Sequence, residues 1–397
     1  MFLYRALMAR RYEQTHPWIT FSYAPIFEQV SMRMGEAFSK CSHLAGTPLQ
    51  PTVAQQLAGV YLIKGAVATT AIEGNTLSEE EVSEILDNRR KLPPSQQYLE
   101  QEIRNVIDVL HGIDSWMGKP WRMTPRWLCD QNRAILKGID VPEHVVPGEY
   151  TSTNLIVGTY RGAPPEDIPY LIDRLCQWIN ERIDQGQSAG VPRDQAFFNM
   201  ATTAILAHLY LAWIHPFGDG NGRTARAVEC AILATSGMVP WVSSNLLSDH
   251  YNRTRSRYYD RLAAASYRGE VQGFVQYAID GFVDMLREQI DRVQSMQRLV
   301  AWQNFVHERF RGETDGEASR RRRALVLALP DGKPTPRNQL TRLTIDLAVR
   351  YANRSSKTLS HDMNRLTELG LVRGDARSGY SPCIDVMDAF LPANNHP

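Results

Sequence analysis

Residues 215 to 226 read His215-Pro216-Phe217-Gly218-Asp219-Gly220-Asn221-Gly222-Arg223-Thr224-Ala225-Arg226. His215 is the one side chain in this stretch whose unperturbed pKa lies near neutrality, so it is suited to take a proton from a hydroxyl. Asp219 can ligate a hard cation, and Mg²⁺ is usually held by one or two carboxylates together with substrate phosphates. Gly220, Asn221 and Gly222 leave backbone N–H groups unshielded, and glycine permits the dihedrals that turn successive N–H groups inward as an anion nest. The residues that follow, from Arg223 onward, look helical. The nest therefore sits at a helix N-terminus, where partial positive charge and free N–H groups favour phosphate. Arg223 and Arg226 lie three apart and lean over the same helix end, and the planar guanidinium suits phosphate oxygens. Before the stretch, Ala204 to Ile214 is apolar nearly all round and reads as a central buried helix. Helix, rigid loop, helix is a mount for a polyphosphate held beside a base.

The stretch resembles the signature of Fic-domain proteins, His-Pro-Phe-x-[Asp/Glu]-Gly-Asn-Gly-Arg-x-x-Arg, at every fixed position. Most members of that family transfer AMP from ATP to a Ser, Thr or Tyr hydroxyl of a target protein. The resemblance implies His215 as general base and Asp219 as the Mg²⁺ ligand. It implies an ATP-binding loop and first helical turn made of Gly218, Asp219, Gly220, Asn221, Gly222, Arg223, Thr224 and Ala225. Within it, Gly220 to Arg223 cradle the phosphates, Arg226 clamps the γ-phosphate, and Phe217 anchors the loop in the core.

A second stretch, Thr69-Thr70-Ala71-Ile72-Glu73-Gly74, resembles the inhibitory motif of the same family, [Ser/Thr]-x-x-x-Glu-[Gly/Asn]. Thr69 and Glu73 fill its fixed positions. There the Glu pairs with the second signature arginine, here Arg226. A carboxylate and a phosphate cannot both occupy one guanidinium fork, and like charges repel. The resemblance thus implies inhibition built into the chain.

Residues 145 to 165 are β-prone, punctuated by Gly148 and Gly158 and closed by Pro164-Pro165, which predicts a short hairpin in a helical domain. In the family such a flap aligns the target's backbone as an added strand, a known mode of peptide capture. The expected docking residues are Asn154, Leu155, Ile156, Val157 and Gly158. Further on, Tyr258-Tyr259-Asp260 resembles the family region where a Tyr flanks the adenine, with Tyr259 the candidate and Tyr258 beside it. Many relatives have an Asn shortly before the later glycine, Gly269. Here Ser266 and Tyr267 stand near that position.

The chain has 397 residues, 43% of them hydrophobic, enough for two or three domains with ordinary cores. A formal net charge of +1 points to neither nucleic acid nor a membrane surface. The five cysteines, Cys41, Cys129, Cys176, Cys230 and Cys383, are scattered without metal spacing and fit buried thiols in a reducing compartment. Met1 to Arg11 lacks the apolar core of a signal peptide, and no run approaches the roughly 20 apolar residues of a membrane span. The expected location is cytoplasmic.

Helical periodicity marks 24–45, 53–72, 98–112, 121–136 and 246–286. After a charged stretch at 311–323, read as a linker followed by a solvated arginine-rich helix start, comes a small unit. Ala324 to Leu329 is an apolar helix, and Leu347 to Val372 fits helix, tight turn, second helix. Arg373 to Ser381 fits a wing, and the whole resembles a winged helix-turn-helix. Ser356, Lys357, Ser360, His361 and Asn364 fall on one side of its second helix, types able to touch phosphates or base edges. Fold alone leaves DNA and protein both open as partners.

The expected fold is mainly α: a Fic-type helical bundle with a short β-hairpin flap and a small C-terminal winged-helix domain. The expected divisions are an inhibitory N-terminal region at 1–115, a catalytic core at 116–295, a helix and linker at 296–323, and the winged-helix unit at 324–397. The leading function is a self-inhibited protein adenylyltransferase that uses ATP and Mg²⁺ and acts on a target protein and on itself. Two alternatives stand beside it: a DNA-binding regulator whose Fic-like domain senses nucleotide, and a bifunctional enzyme that also removes AMP with Glu73 positioning a water. A homodimer fits the resemblance, and no residue pattern specifies one.

Overall fold

The structure is a computed structural model that describes residues 10–158 and 160–388. The N-terminal segment read above for a signal peptide and the last residues of the C-terminal unit lie largely outside the described residues. The chain divides into two compact units, Met1–Ile290 and Asp291–Pro397.

The first unit is a helical bundle: α1 (Arg11–Thr15), α2 (Phe27–Gly46), α3 (Pro51–Ile72), α4 (Glu79–Leu86), α5 (Gln97–Asp114), α6 (Pro125–Ile135), α7 (Ile168–Gln187), α8 (Arg193–Ile214), α9 (Asn221–Thr235), α10 (Leu246–Arg253), α11 (Arg255–Arg268) and the first half of α12 (Val271–Arg309). At its centre lies α8, in which every residue from Met200 to Ile214 except Ala212 is buried. This all-round burial is what its unbroken apolar sequence requires. By length and composition α8 is the one described helix that passes for a membrane span, contrary to the reading that no run comes close. Its apolar surface is covered by α7 on one side and α9 on the other. Helices α3, α5 and α6 pack directly on α9, so residues 1–115 are not set apart from the core that begins at 116.

Local signals explain several boundaries. α6 opens as read, with Thr124 capping the N–H of Trp127 at 3.1 Å and Pro125 in the first turn. The predicted helical stretch 246–286 is three helices. Gly269, at φ 67°, ends α11 in the left-handed conformation that favours glycine. α7 lies outside every stretch in which periodicity predicts a helix.

The predicted hairpin at 145–165 is smaller than expected. Only β1 (Ile156–Val157) and β2 (Tyr160–Arg161) pair, antiparallel, with Ile156 opposite Arg161. The preceding β-prone residues serve the signature loop instead: Tyr150 bridges Phe217, and the Thr151 N–H donates to the Pro216 carbonyl at 2.9 Å.

The second unit contains the end of α12, α13 (Glu317–Ala328), α14 (Ile345–Tyr351), α15 (Ser356–Glu368), and the antiparallel hairpin β3 (Val372–Asp375) and β4 (Gly379–Pro382). Trp302, Val306, Leu325, Leu347, Met363 and Leu366 share its core. The expected boundary at 295/296 falls inside the continuous helix α12. The arginines read as a solvated helix start are another correction. Arg321 is 5% exposed, and Asp362 on α15 accepts from its Nε at 2.7 Å, from Arg322 Nε at 2.8 Å and from the Tyr351 hydroxyl at 2.9 Å. A carboxylate with 1% of its side chain exposed needs cations and donors around it, and these arginines supply them.

Candidate active site

The signature loop is the turn between α8 and α9. α8 ends at His215, whose backbone takes the left-handed conformation (φ 51°, ψ 59°). That is an uncommon state for a residue with a Cβ. The sharp turn brings the imidazole out of the helix line, and its ring is held by the Ala212 carbonyl. Gly162, just after β2, lies against it, where an added Cβ would approach the His215 Cβ to 3.0 Å. Any larger residue there would have to push His215 back by a few tenths of an ångström.

Three asparagines and a phenylalanine fix the loop. Phe217 is 1% exposed, the anchor that was expected. Asn221 accepts from the Phe217 N–H at 2.9 Å and donates back to its carbonyl at 2.6 Å. The Asn221 side chain is thus spent inside the loop, and what it offers a phosphate is its backbone N–H. Asn132, fully buried on α6, donates to the Asp219 carbonyl at 2.9 Å and to Thr224 Oγ1 at 3.3 Å, and accepts from the Gly148 N–H at 2.9 Å. Asn75, directly after the inhibitory motif, donates to Leu99 O and to Glu102 Oε2, both at 2.9 Å. Glu102 in turn accepts from Arg223 Nη1 at 3.1 Å, while Arg223 Nη2 reaches Asp219 Oδ1 at 3.2 Å. None of Asn132, Asn75 and Glu102 was picked out as a site residue. An isolated asparagine or glutamate, whether in a helix like Asn132 and Glu102 or just after one like Asn75, carries no pattern to mark it.

A cavity of about 480 Å³ opens beside the loop, lined by Glu73, Gly158, Tyr160, His208, Ala212, Trp213, His215, Asn221, Gly222, Ala225, Arg226, Tyr258, Tyr259, Leu262, Ala263, Ser266 and Tyr267. That volume lies within the roughly 300–1,000 Å³ of small-molecule sites. The first turn of α9 points into it without a side-chain cap, since Gly220 at its N-cap has none to give. Its N–H groups, which have no helical partner, are an anion site. Gly218, Asp219, Gly220, Arg223 and Thr224, all expected to bind ATP, are not in this lining. Gly218 packs against Val145, Thr224 is tied to Asn132, and Arg223 is turned to Glu102 and Asp219. Asp219 itself keeps 41% of its side chain exposed.

Arg226 is buried and reads as the hub. Its Nε donates to Thr69 Oγ1 at 2.6 Å, and its Nη2 to the Thr69 carbonyl at 3.0 Å and to Glu73 Oε1 at 2.7 Å. The structure thus brings together the two motifs, which lie 153 residues apart in sequence. Burial pushes the Glu73 carboxyl up. The guanidinium of Arg226, with Arg223 and Arg255 behind it, outweighs that and holds it below the usual carboxylate range. Behind Arg226 buried polar groups continue: the Tyr258 hydroxyl is hydrogen-bonded to His208 Nε2 at 2.8 Å, the Tyr251 hydroxyl donates to Glu229 Oε1 at 2.9 Å, and His208 Nδ1 lies 3.3 Å from Glu229 Oε2 without hydrogen-bond geometry. Tyr258 is therefore a buried support for Arg226. Tyr259, 44% exposed, presents its ring at the cavity wall. Ser266 Oγ accepts from Trp213 Nε1 at 2.8 Å and donates to the Leu262 carbonyl at 2.9 Å.

Burial pushes the His215 imidazole below its ordinary pKa, against the raising influence of the Ala212 carbonyl and of the Glu73 and Asp219 charges. The ring is thus neutral at physiological pH and able to accept a proton. Of the flap residues, Gly158 reaches the cavity, and Ile156 is 63% exposed on the strand. Asn154 is exposed in the loop before it, and Leu155 accepts from the Gly162 N–H at 3.1 Å.

A model of the Fic/DOC family matches residues 122–233. Among curated proteins the chain is similar to Protein adenylyltransferase Fic of Aedes aegypti, 28% identical over 214 residues, covering 53% of this chain and 38% of that one. The protein of the same name in Drosophila ananassae is 26% identical over 212 residues, with the same coverage. The chain thus spans under two fifths of the length of these relatives. A Fic family protein from Desulfovibrio desulfuricans G20 shares the fold with a TM-score of 0.56 at 20% identity, covering 91% of this chain and 97% of that one. Fic-1 from C. elegans does so with a TM-score of 0.53 at 21% identity, covering 68% and 75%. The matched segment contains His215, Arg226 and the loop between them, and the chain accordingly carries a Fic domain.

Proposed function

We propose that this chain is a protein adenylyltransferase held off by its own Glu73. One observation carries the reading: His215 and Arg226 face one cavity with the uncapped start of α9 between them, and the Glu73 carboxylate sits on Arg226.

ATP is the nucleotide. Tyr259, Leu262, Ala263 and Trp213 give the cavity an apolar flank suited to the adenine. The phosphates lie over the N–H groups that begin α9, with Arg226 on the γ-phosphate. Asp219 is a single carboxylate with part of its side chain exposed beside the loop. That fits Mg²⁺, which takes one carboxylate and completes its shell with water and phosphate. When bound, it neutralises phosphate charge.

The target's hydroxyl approaches along the flap, its backbone aligned with β1. With the Ala212 carbonyl holding one ring N–H, the other His215 nitrogen accepts the hydroxyl proton. The hydroxyl oxygen forms its bond to the α-phosphorus as the bond to pyrophosphate breaks in line. The product is an AMP ester of the target, and pyrophosphate leaves. Positioning and electrostatics supply most of the acceleration.

Transfer of label from α-labelled ATP to protein, with Mg²⁺, tests this on wild type, Glu73→Gly and Glu73→Gly/His215→Ala. Labelling by Glu73→Gly alone is the expected outcome. No labelling by any of the three, with ATP binding intact, would leave a nucleotide sensor instead.

A further inference from the structure

The second unit carries a feature that the catalytic reading does not use. An open groove of about 690 Å³ runs between the residues before α14, the N-terminus of α15 and the turn of the β3–β4 hairpin. Its lining includes Arg337, Arg342 and Arg354, with Asn338, Ser355 and Ser356, and no carboxylate. Arg354 is paired with Glu317 at 2.8 Å. Arg337 is held by hydrogen bonds alone, donating to Ser360 Oγ at 2.6 Å and to the Ser356 carbonyl at 3.0 Å. It is thereby pinned against the first turn of α15. Among the described residues, Arg342, Lys357 and Arg377 are exposed without a carboxylate in salt-bridge reach. The 13-residue helix α15 starts with no side-chain cap, so its free N–H groups open on the same groove. From there its outer face presents Lys357, His361 and Asn364, all exposed.

Charge is segregated between the units. Residues 291–397 hold 17 Lys and Arg against 12 Asp and Glu, a net +5, which leaves residues 1–290 at −4 within a chain of +1. The buried Asp362 and the paired surface carboxylates account for much of the acidic content of the second unit. Four of its cations without a carboxylate partner, Arg337, Arg342, Lys357 and Arg377, line this groove or directly follow residues that do. A polyanion with regularly spaced phosphates complements that surface.

We infer that the second unit binds duplex DNA, with α15 entering the major groove and Arg337, Arg342, Lys357 and Arg377 on the flanking phosphates. The B-form major groove is wide enough for a helix. The deep, narrow major groove of double-stranded RNA is not. α14, the short turn and α15 have the element order of a helix-turn-helix, and the β3–β4 turn with Arg377 reaches out beside them as a wing. His361 and Asn364 then lie where base edges are read, and Lys357 and the arginines set position.

The test is fluorescence anisotropy of a labelled mixed-sequence DNA duplex with the full-length chain over a salt series. Four phosphate contacts predict a log–log slope near −3.6, about a hundredfold loss of affinity between about 50 and about 200 mM salt. Arg342→Gln and Lys357→Gln are each expected to weaken binding and reduce the slope by about one. Ile345→Ser, which changes exposed apolar surface on α14 and no charge, leaves both unchanged. No binding at low salt, binding without salt dependence, or binding lost with Ile345→Ser and kept in the charge variants would overturn the inference. The last outcome would leave this face to a protein partner.

Discussion

Gly222 has no room for a side chain because the carboxylate of Glu73 occupies the space where a Cβ would stand. The inhibitory turn therefore does more than pair with Arg226. It covers the first turn of α9, where the proposed phosphate site lies. Glu73→Gly clears both at once. Transfer to protein is expected to rise on the order of 10²-fold, the scale of one preorganised charge contact at a reacting phosphate, read as label from α-labelled ATP. Because the Glu73 carboxyl sits below the usual range, it stays ionised above its unfolded pKa of about 4.3. The pair is lost only as pH falls through the still lower folded value. Mild acidification is thus not a route to activation: wild type should stay silent from pH 5 upward.

Thr69 acts on the same arginine with the opposite expected outcome. Its hydroxyl accepts from Arg226 Nε and its carbonyl from Nη2, so Arg226 keeps its pose when Glu73 is gone. In the Glu73→Gly background, Thr69→Val leaves the buried Nε unsatisfied. That costs about 1.5–3 kcal/mol for a hydrogen bond to a charged group. KM for ATP should rise and transfer should fall. Unchanged kinetics would mean that Arg226 does not need Thr69 to meet the phosphate.

The pH profile follows from the imidazole. Burial holds His215 below its ordinary pKa, so the base stays neutral as pH drops through the usual histidine range. For Glu73→Gly, the acid limb of kcat/KM, which reports the free enzyme, is expected below pH ~6.5. Removing Glu73 also removes a charge that raised this pKa, which moves the limb the same way. His215→Ala should lower transfer by roughly 10²–10⁴-fold with ATP binding retained. A limb above pH 7 would exclude His215 as the titrating group.

The local part of the site was legible in the sequence, because its chemistry lies in twelve consecutive residues and Phe217, His215 and the α9 N-terminus follow from their order alone. The pairing of Glu73 with Arg226 was legible only through resemblance, since no local signal links residues 153 apart. What stayed hidden is long-range polar packing. Asn132, His208, Glu229 and Asp362 sit in helices whose apolar periodicity gives their positions but not their partners. The β-prone run at 145–165 misled for a related reason. Tyr150 and Thr151 do make β-type hydrogen bonds, but to the signature loop, so strand propensity was satisfied without a longer hairpin.

Asn132 tests the hidden part directly. One side chain ties α6 to Asp219, Thr224 and Gly148. Asn132→Ala orphans the buried Gly148 N–H and the Asp219 carbonyl, at about 1–3 kcal/mol for each group left unpaired. Its loss frees the loop that carries His215 and Asp219. The Glu73→Gly/Asn132→Ala variant is expected to lose activity at temperatures well below its unfolding transition, seen by comparing transfer with circular dichroism. Loss of activity only on unfolding would reduce Asn132 to a structural contact.

In the second unit, Asp362 balances Arg321 and Arg322 in a site from which water is largely excluded. Removing the carboxylate leaves buried guanidinium charge without a counterion, which costs about 3–5 kcal/mol. Asp362→Ala should therefore lower the thermal stability of the full-length chain. Asp362→Leu/Arg321→Met, which replaces charge on both sides with apolar volume, should recover much of the loss, because well-packed hydrophobic residues can substitute for a buried ion pair. Arg322 retains partial exposure and a second partner in Glu313 at 3.6 Å, so it tolerates the exchange. Calorimetry on the three proteins decides the matter. If the double variant is no more stable than Asp362→Ala, the contribution of Asp362 is its hydrogen bond to Tyr351 rather than its charge.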